Sequence, residues 1–198
     1  NWTTCELDKI YTADYYYVKF FDSDNGVIVC GYAKSNDTNE SSRIYSTSNG
    51  GESWDIVGSG PATNIIKGVV YVSSDVGFFC YDYVEGMDSN LYKTDDGGKT
   101  FAKVMLEEQE LDSSAANPQG QETETKTDSG KNGADSSEQL RWGDVYKEAL
   151  TPVVDSTGII TIYLTQGKNA VYNDGKTAAK YQSSDKGSTW KRSEEHTL

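Results

Sequence analysis

The fold is decided by an eight-residue stretch that occurs three times: Thr47-Ser-Asn-Gly-Gly-Glu-Ser-Trp54, Thr94-Asp-Asp-Gly-Gly-Lys-Thr-Phe101 and Ser183-Ser-Asp-Lys-Gly-Ser-Thr-Trp190. Each copy follows the pattern Ser/Thr-x-Asp-x-Gly-x-Thr-Trp/Phe, and the first copy has Asn49 and Ser53 in place of the Asp and the second Thr. We call these three segments the repeat turns. Three matches to one pattern in a short chain indicate an architecture built from similar units.

The chemistry of each repeat turn is local. The Asp or Asn at the third position can accept hydrogen bonds from backbone N–H groups of its own turn. The Gly at the fifth position permits a positive φ, where a Cβ would clash. The closing aromatic residue is expected to start the next strand and to point its ring into the core. The residues that we assign to this structural role are Thr47, Asn49, Gly51, Trp54, Thr94, Asp96, Gly98, Phe101, Ser183, Asp185, Gly187 and Trp190.

What surrounds each repeat turn is also repeated. Short runs rich in Tyr, Val, Ile and Phe, separated by Gly, Asp, Asn and Ser, precede every copy. Such runs are typical of strands joined by tight turns. Four strands per unit are expected for one blade of a propeller. The sequence therefore predicts an all-β fold, a β-propeller of four-stranded antiparallel blades with about three blades present.

The spacing of the repeat turns divides the chain. The distance from Phe101 to Trp190 is nearly double that from Trp54 to Phe101. We therefore place an N-terminal stub and two blades in residues 1–105, an insert in 106–139 and the third blade in 140–191. The insert carries nine acidic residues against two lysines and no aromatic residue, a composition that cannot offset its ordering entropy by apolar burial. It is predicted to be a disordered insertion, with an interaction tail or a calcium-sequestering run as alternatives.

Both ends of the chain indicate a fragment. Residues 192–198, which begin Arg-Ser-Glu-Glu-His-Thr, resemble the translation of a common sequencing adapter, and we expect them to lie outside the natural fold. The alternative is a natural polar terminus. His196, the only histidine, lies in this tail. Because the chain starts at Asn1 without Met, we also expect a signal peptide or other upstream sequence to be missing.

Composition excludes several classes of function. With 18 basic and 31 acidic side chains, the formal net charge is −13, which opposes binding to nucleic acid and to anionic membranes. No apolar run approaches the ~20 residues that span a bilayer. Cys5, Cys30 and Cys80 form no CxxC or Cys/His cluster, so no zinc site is assigned. Cys30 and Cys80 are interpreted as buried apolar residues on strands, and no cofactor is expected.

The repeat turns resemble the Asp-box, or bacterial neuraminidase repeat, of β-propellers in the sialidase-like superfamily. This repeat occurs in sialidases, xyloglucan-degrading glycosidases, sortilin-type receptors and photosystem assembly factors. The blade pattern here, with Phe20-Phe-Asp-x-Asp-x-Gly26 followed by a Val-rich strand and then by the repeat turn, is most similar to the assembly-factor and generic bacterial group. The resemblance implies a fragment of a six- to eight-bladed ring, in which the boxes serve the scaffold.

A catalytic role is harder to assign. The resemblance to sialidases would require three arginines around a substrate carboxylate, a Tyr–Glu nucleophile pair and an Asp. Outside the tail only Arg43 and Arg141 are present, so these two are the candidate substrate-binding residues and no catalytic residue is assigned. The simpler interpretation of Arg43 is an exposed strand position. Glycosidase chemistry by two carboxylates stays open.

Residues 22–26, Asp22-Ser-Asp-Asn-Gly26, resemble a calcium loop but lack its downstream bidentate Glu. They occupy a hairpin position of the blade, and no metal site is assigned.

Two functions are therefore expected as alternatives. The first is a non-enzymatic propeller, extracellular or attached to the cell surface, that acts as a binding or assembly scaffold for a protein or a glycan. The second is a truncated sialidase-like glycoside hydrolase whose catalytic residues lie mostly outside this chain. Three blades also leave two open faces, which we expect to be lined with Val, Ile, Phe and Tyr and to drive self-association.

Overall fold

The computed structural model describes residues 4, 7, 13–32, 41–106, 148–165 and 177–197. Over this part of the chain every regular element is a β-strand, and the strands form three antiparallel sheets. The predicted all-β fold of four-stranded antiparallel blades is confirmed. The described residues include no helix with the length and apolarity needed to cross a membrane.

The first two blades are regular meanders in which each strand pairs with the next along the chain. In both blades the repeat turn joins the third strand to the fourth. The strands of the first blade are β1 (Tyr15–Phe20), β2 (Gly26–Gly31), β3 (Ser42–Thr47) and β4 (Asp55–Ser59). Those of the second blade are β5 (Ile66–Tyr71), β6 (Gly77–Tyr81), β7 (Leu91–Thr94) and β8 (Ala102–Lys103).

The third blade has the same plan with an interrupted first strand. Both β9 (Glu148–Ala149) and β10 (Val153–Val154) pair with one edge of β11 (Ile160–Thr165). Pro152 lies in the gap between them and has no N–H to give to the ladder. The other edge of β11 pairs with β12 (Thr177–Ser183), which pairs in turn with β13 (Lys191–Thr197).

The last strand of the third blade, β13, extends beyond the predicted end of that blade. The sequence predicts that the third blade ends at Lys191, whereas the pairing with β12 continues to Thr197 opposite Thr177. Residues 192–197 are therefore part of the third sheet, because their backbone continues the antiparallel pairing along the free edge of β12. Their resemblance to an adapter sequence stays a prediction about the gene.

Because side chains alternate across a strand, each blade has two faces. We call the face turned toward the preceding blade the incoming face, and the face turned toward the following blade the outgoing face. Val29 and Ile44 on the outgoing face of the first blade pack against Tyr71 and Phe79 on the incoming face of the second. Between the second and third blades, Phe78 packs in the same way with a cluster from both blades. The core is therefore a series of layers between successive blades.

Two tyrosines fix the first blade on the second. The hydroxyl of Tyr15 accepts a hydrogen bond from Val69 N at 3.1 Å, and that of Tyr17 accepts one from Tyr71 N at 3.1 Å. Lys19, the next residue on the same face of β1, donates to Tyr71 O at 2.5 Å. β5 is the first strand of its sheet and has a free edge, so these side chains satisfy backbone groups that no strand pairs.

The two open faces differ, contrary to the sequence expectation. Alternate residues of β1, including Val18 and Phe20, leave an apolar incoming face exposed on the first blade. On the outgoing face of the third blade, Thr161 and Lys180 stand at register positions that hold Val27 and Ile44 in the first blade, and the exposed Val153 lies on the same face. The expected apolar lining is therefore only partly found on the third blade, because Thr161 and Lys180 replace apolar residues of the first blade while Val153 and Tyr163 fit the expectation.

Cys30 and Cys80 are buried on β2 and β6 as free thiols, as predicted. Burial raises the pKa of both thiols, that of Cys80 to about 12. Cys5, most of the insert at 106–139, and Arg141 lie outside the described residues.

Candidate functional site

All three repeat turns have the same hydrogen-bond pattern. The hydroxyl of the first residue donates to the side-chain oxygen of the third residue and accepts from the N–H of the fifth. In the second turn, Thr94 Oγ1 donates to Asp96 Oδ1 at 2.8 Å and accepts from Gly98 N at 2.8 Å. The corresponding pairs are Thr47 with Asn49 and Gly51, and Ser183 with Asp185 and Gly187.

The third-position carboxylates are saturated by donors of their own turns. Asp96 Oδ1 accepts from the N–H groups of Lys99 at 3.0 Å and Thr100 at 2.9 Å, and Asp96 Oδ2 accepts from Thr100 Oγ1 at 2.6 Å. Asp185 makes the same contacts with Ser188 and Thr189. The Thr100 and Thr189 hydroxyls, with these N–H groups, hold the pKa of both carboxyls far below the usual range.

The first turn uses an amide instead of a carboxylate. Asn49 Oδ1 accepts from Ser53 N at 3.0 Å, and Asn49 Nδ2 donates to Ser53 Oγ at 2.9 Å. The hydroxyl at this position therefore accepts a hydrogen bond, whereas Thr100 and Thr189 donate one to a carboxylate. The same geometry is built without a charge.

The closing aromatic residues of the turns are half-buried and make edge-to-face contacts. Trp54 contacts Phe20 with ring centroids 5.8 Å apart, and Phe101 contacts Phe79 at 4.9 Å. Trp190 contacts Phe78 of the second blade at 5.9 Å. The third turn is therefore attached directly to the blade before it.

The calcium-like loop after β1 is closed by its own groups. Asp22 Oδ1 accepts from Asp24 N at 2.8 Å and Asn25 N at 2.7 Å, and the Asn25 amide contacts both carboxylate oxygens. The Asn25 amide and these N–H groups lower the pKa of Asp22. Within the described ranges, no cluster of three His, Cys, Asp or Glu side chains could hold a metal ion.

Arg43, the candidate substrate-binding arginine, is buried, so the interpretation as an exposed strand residue was wrong. It lies on β3, between Cys30 of β2 and Ser59 of β4 in register. Its side chain lies on the incoming face of the first blade together with Cys30, and Leu7 and Ala13 pack on that face against Cys30 and Tyr45. Arg43 lowers the pKa of Cys30 in opposition to burial, the larger effect. It is not presented at either of the grooves described below.

The longest described connection between strands and the repeat turns lie at opposite ends of the blades. The repeat turns and the short turns between first and second strands lie at one end, which we call the turn end. The opposite end, the loop end, carries the described connections between second and third strands and between blades, which include residues 82–90 and 104–106. Binding residues occur preferentially on such loops, held by a rigid scaffold.

A groove of about 310 Å³ opens at the loop end between the second and third blades. Met87, Met105, Leu106 and Leu164 contribute apolar surface, and Asp88 contributes a carboxylate. Leu91 and Val104 form its buried floor together with Ala149. Sequence reasoning missed this groove because its lining comes from two blades and from loops without a motif.

Asn90 holds the two walls of this groove together. Its side-chain oxygen accepts from Ala149 N at 2.8 Å, and its amide donates to Ala149 O at 3.0 Å and to Tyr81 O at 2.8 Å. Cys80 Sγ contacts the same carbonyl of Ala149 at 3.1 Å. The groove is thus rigid at its base and bordered by exposed Met105 above it.

A second, shallower cleft of about 240 Å³ lies at the turn end between the first two blades. Asp55 and Asp96 both line it. A carboxyl acting as a general acid requires a raised pKa. Because the pKa of Asp96 is lowered and its oxygens accept four hydrogen bonds, this pair does not form an acid–base couple.

Of the known proteins compared with this chain, only solved structures are similar to it. No family description matches the chain, and no curated protein matches it. Among solved structures, the crystal structure of the GH74 enzyme of Niastella koreensis is similar, with 16% sequence identity and a TM-score of 0.43. The match covers 84% of this chain and 19% of that chain, so the present chain spans about a fifth of that structure's length.

Proposed function

We propose that this chain is part of an Asp-box β-propeller and acts as a non-enzymatic binding scaffold, with the loop-end groove as its binding site. The groove between the second and third blades is the observation that carries the proposal, since it is the larger of the two grooves described above and has a fixed base. An exported or cell-surface location belongs to this proposal and is supported by the family resemblance alone.

The assignment to Asp-box repeats is supported by the turns. A hydroxyl, an Asp or Asn two residues later and a Gly two residues after that form one closed hydrogen-bond pattern in each blade. These side chains bind their own backbone, so they serve the scaffold rather than a ligand. Ligand binding is then left to the loop end.

Of the two predicted ligand classes, the groove favours a protein over a glycan. Its described lining is mainly Met, Leu and Val, and Met side chains adapt to varied apolar partners. A sugar is more often held by an aromatic ring with several polar groups, and the described lining contains no aromatic residue. Asp88 at the rim contacts Lys103 Nζ at 3.3 Å, and a basic residue of the bound segment would compete with Lys103 for that carboxylate.

A random peptide display library and a glycan array, both presented to the full 198-residue chain, test this function. We expect the chain to select peptides that combine apolar and basic residues, and to select no glycan. Met105→Glu should abolish the selection because it places a charge on the exposed wall of the groove. Ile65→Glu is the matched control, since Ile65 is also an exposed apolar residue of the loop end but lies outside the groove lining. Selection that survives Met105→Glu, or selection of glycans alone, would contradict the proposal.

The glycoside hydrolase alternative is tested separately. Asp88 is the only carboxylate in the described lining of the groove, and Arg43 is buried elsewhere. We therefore expect no turnover of a fluorogenic sialoside or xyloglucan oligosaccharide by this chain. Turnover that is lost in Asp88→Asn would support the alternative instead.

A further inference from the structure

The chain contains two methionines, Met87 and Met105, and both line the loop-end groove. They reach it from different elements. Met87 lies in the connection between β6 and β7, and Met105 follows β8, where Val104 N still donates to Leu91 O at 2.9 Å. The rest of the described apolar lining is Leu, Val and Ala, whose side chains a peroxide does not attack. A mild oxidant therefore changes this apolar lining at its two sulfur atoms.

The sulfur of Met87 is held by two hydrogen bonds. Asn64 Nδ2 donates to Met87 Sδ at 3.3 Å, and Val84 N donates to it at 3.4 Å. Met87 N in turn donates to Val84 O at 3.0 Å, so the two residues are joined in both directions. The side chain of Met87 is half-buried. Its thioether therefore closes the turn at 84–87, and its lone pairs face donors of the protein rather than solvent.

Met105 has the opposite surroundings. It lies beyond the last pair of the ladder between β7 and β8, in which Tyr92 is opposite Lys103. Its side chain is 57% exposed and forms the outer wall of the groove. Because oxidation by a dissolved peroxide requires access to the sulfur, Met105 is expected to react before Met87.

The buried cysteines do not compete for the oxidant. Cys30 and Cys80 are 4% and 1% exposed, and burial raises the pKa of both thiols. Since the thiolate is the reactive form of cysteine, little of either side chain reacts at neutral pH. Among the sulfur atoms of the described residues, that of Met105 is therefore the most accessible to a peroxide.

We propose that Met105 is a modification site at which oxidation by a peroxide switches off binding in the loop-end groove. This inference rests on the function proposed for that groove. In the reaction, the Met105 sulfur attacks one oxygen of hydrogen peroxide, an S–O bond forms and the O–O bond breaks. The sulfur loses two electrons, and the second oxygen leaves as water with both hydrogens. The product is a sulfoxide, a polar group in the place of an apolar one.

The sulfoxide weakens binding without removing the groove. An apolar side chain docked against it would separate the new S=O acceptor from water and give it no donor. We therefore expect binding to weaken by about tenfold. The floor of the groove is unchanged, because the contact between Asn90 and Ala149 lies below Met105 and contains no oxidisable group. Reduction of the sulfoxide by methionine sulfoxide reductases should then restore binding.

Peptide mass spectrometry after treatment of the full chain with millimolar hydrogen peroxide tests which sulfur reacts, and it needs no ligand. We expect the sulfoxide of Met105 to form several times faster than that of Met87 in the folded chain. In urea the two rates should become equal, because the protection of Met87 comes from the fold. Equal rates in the folded chain, or faster oxidation of Met87, would overturn the proposal.

The random peptide display library is the probe for the effect on binding, and each protein is compared with itself before treatment. Peroxide should lower the selection by the wild type and by Met87→Leu about tenfold. It should leave the selection by Met105→Leu at its own untreated level, because leucine keeps the wall apolar and is not oxidised. Met87→Leu is the matched control, since it removes the other sulfur of the same groove. Methionine sulfoxide reductases should restore the selection by the oxidised wild type.

The outcomes separate this switch from the binding function. Selection that persists when Met105 is fully oxidised, or that peroxide abolishes in Met105→Leu, overturns the switch while the untreated chain still supports binding in the groove. An untreated chain that selects no peptide contradicts the proposed function itself, and therefore also its regulation.

Discussion

The side chain of Asn90 pairs with the backbone of Ala149 as one strand pairs with another. Ala149 N donates to Asn90 Oδ1 at 2.8 Å, and Asn90 Nδ2 donates to Ala149 O at 3.0 Å. Asn90 directly precedes β7 of the second blade at the loop end, and Ala149 belongs to β9 of the third blade. One fully buried amide therefore connects two blades between which the chain makes its longest connection.

Replacing Asn90 with Ala is expected to destabilise the fold strongly. The change leaves Ala149 N, Ala149 O and Tyr81 O without this partner in a buried place. An unsatisfied buried group costs about 1–3 kcal/mol, and part of that cost is relieved when the blades separate, so we expect a loss of about 3 kcal/mol. The midpoint of urea unfolding measures it.

Asn64→Ala serves as the control for Asn90→Ala. Asn64 is a half-buried asparagine at the loop end, just before β5. Its amide donates to Asp82 O, which follows β6, so this contact does not join two blades. Its loss should cost less than about 1 kcal/mol. Equal effects of the two substitutions would show that the contact with Ala149 has no special weight.

Asp96→Ala removes the acceptor of four hydrogen bonds in the second repeat turn. Because the turn is accessible, water can replace the lost acceptor, so we expect the free energy of unfolding to fall by only on the order of 1 kcal/mol. Asp95→Ala is the matched control, since Asp95 is the exposed neighbour and forms an ion pair with Lys93 outside the hydrogen-bond pattern of the turn. Urea midpoints of both variants are compared with the wild type. A shift in Asp96→Ala no larger than in Asp95→Ala would mean that the turn does not depend on its carboxylate.

The lowered pKa values of Asp96 and Asp185 predict a loss of stability in acid. A carboxyl whose pKa is lower in the folded state binds fewer protons there than in the unfolded chain. Its stabilising contribution is therefore complete above the unfolded pKa of about 4 and is lost as the pH falls toward the folded value. Unfolding midpoints between pH 6 and pH 2, taken on the wild type and on the Asp96→Asn/Asp185→Asn double variant, measure this effect. The double variant should show the smaller decrease, and parallel curves would contradict the assignment.

The local parts of this structure could be predicted from sequence, and the long-range parts could not. The repeat turns are closed by groups within eight residues, so the pattern of Thr94, Asp96 and Gly98 was sufficient to indicate a turn between two strands. The blade architecture followed from repeating that unit, and the structure confirms it. The burial of Arg43 and the polarity of the third blade's outgoing face depend on which residues stand opposite each other across strands. The pairing of Asn90 with Ala149 joins positions 59 residues apart, and nothing in the intervening sequence indicates it.

Cys80 should resist alkylation in the folded protein. Its thiol is buried and lies 3.1 Å from Ala149 O of the third blade. Burial raises the pKa of this thiol to about 12, so little thiolate forms at neutral pH. Treatment with iodoacetamide at pH 8, followed by peptide mass spectrometry, should modify Cys80 only after denaturant is added. Rapid modification without denaturant would indicate that the second and third blades separate readily in solution.

The turn glycines of the first and second blades have different surroundings. Gly98 has φ +106°, and a Cβ there would lie 3.0 Å from Ile44 Cδ1 on the outgoing face of the first blade and 3.1 Å from the Tyr71 hydroxyl. Gly51, the equivalent residue of the first turn, has φ +87°, and a Cβ there would lie 3.3 Å from the Phe20 ring of its own blade.

Alanine at either turn glycine therefore costs backbone strain of about 1–2 kcal/mol, but only Gly98→Ala also forces two blades apart. Overpacking of a filled interface adds about 1–3 kcal/mol, so Gly98→Ala should be the more destabilising of the two by at least about 1 kcal/mol. Thermal and urea unfolding of both variants measure the difference. Equal losses would mean that the repeat turn of the second blade is not seated on the first blade, and that the blades are held together by their strands alone.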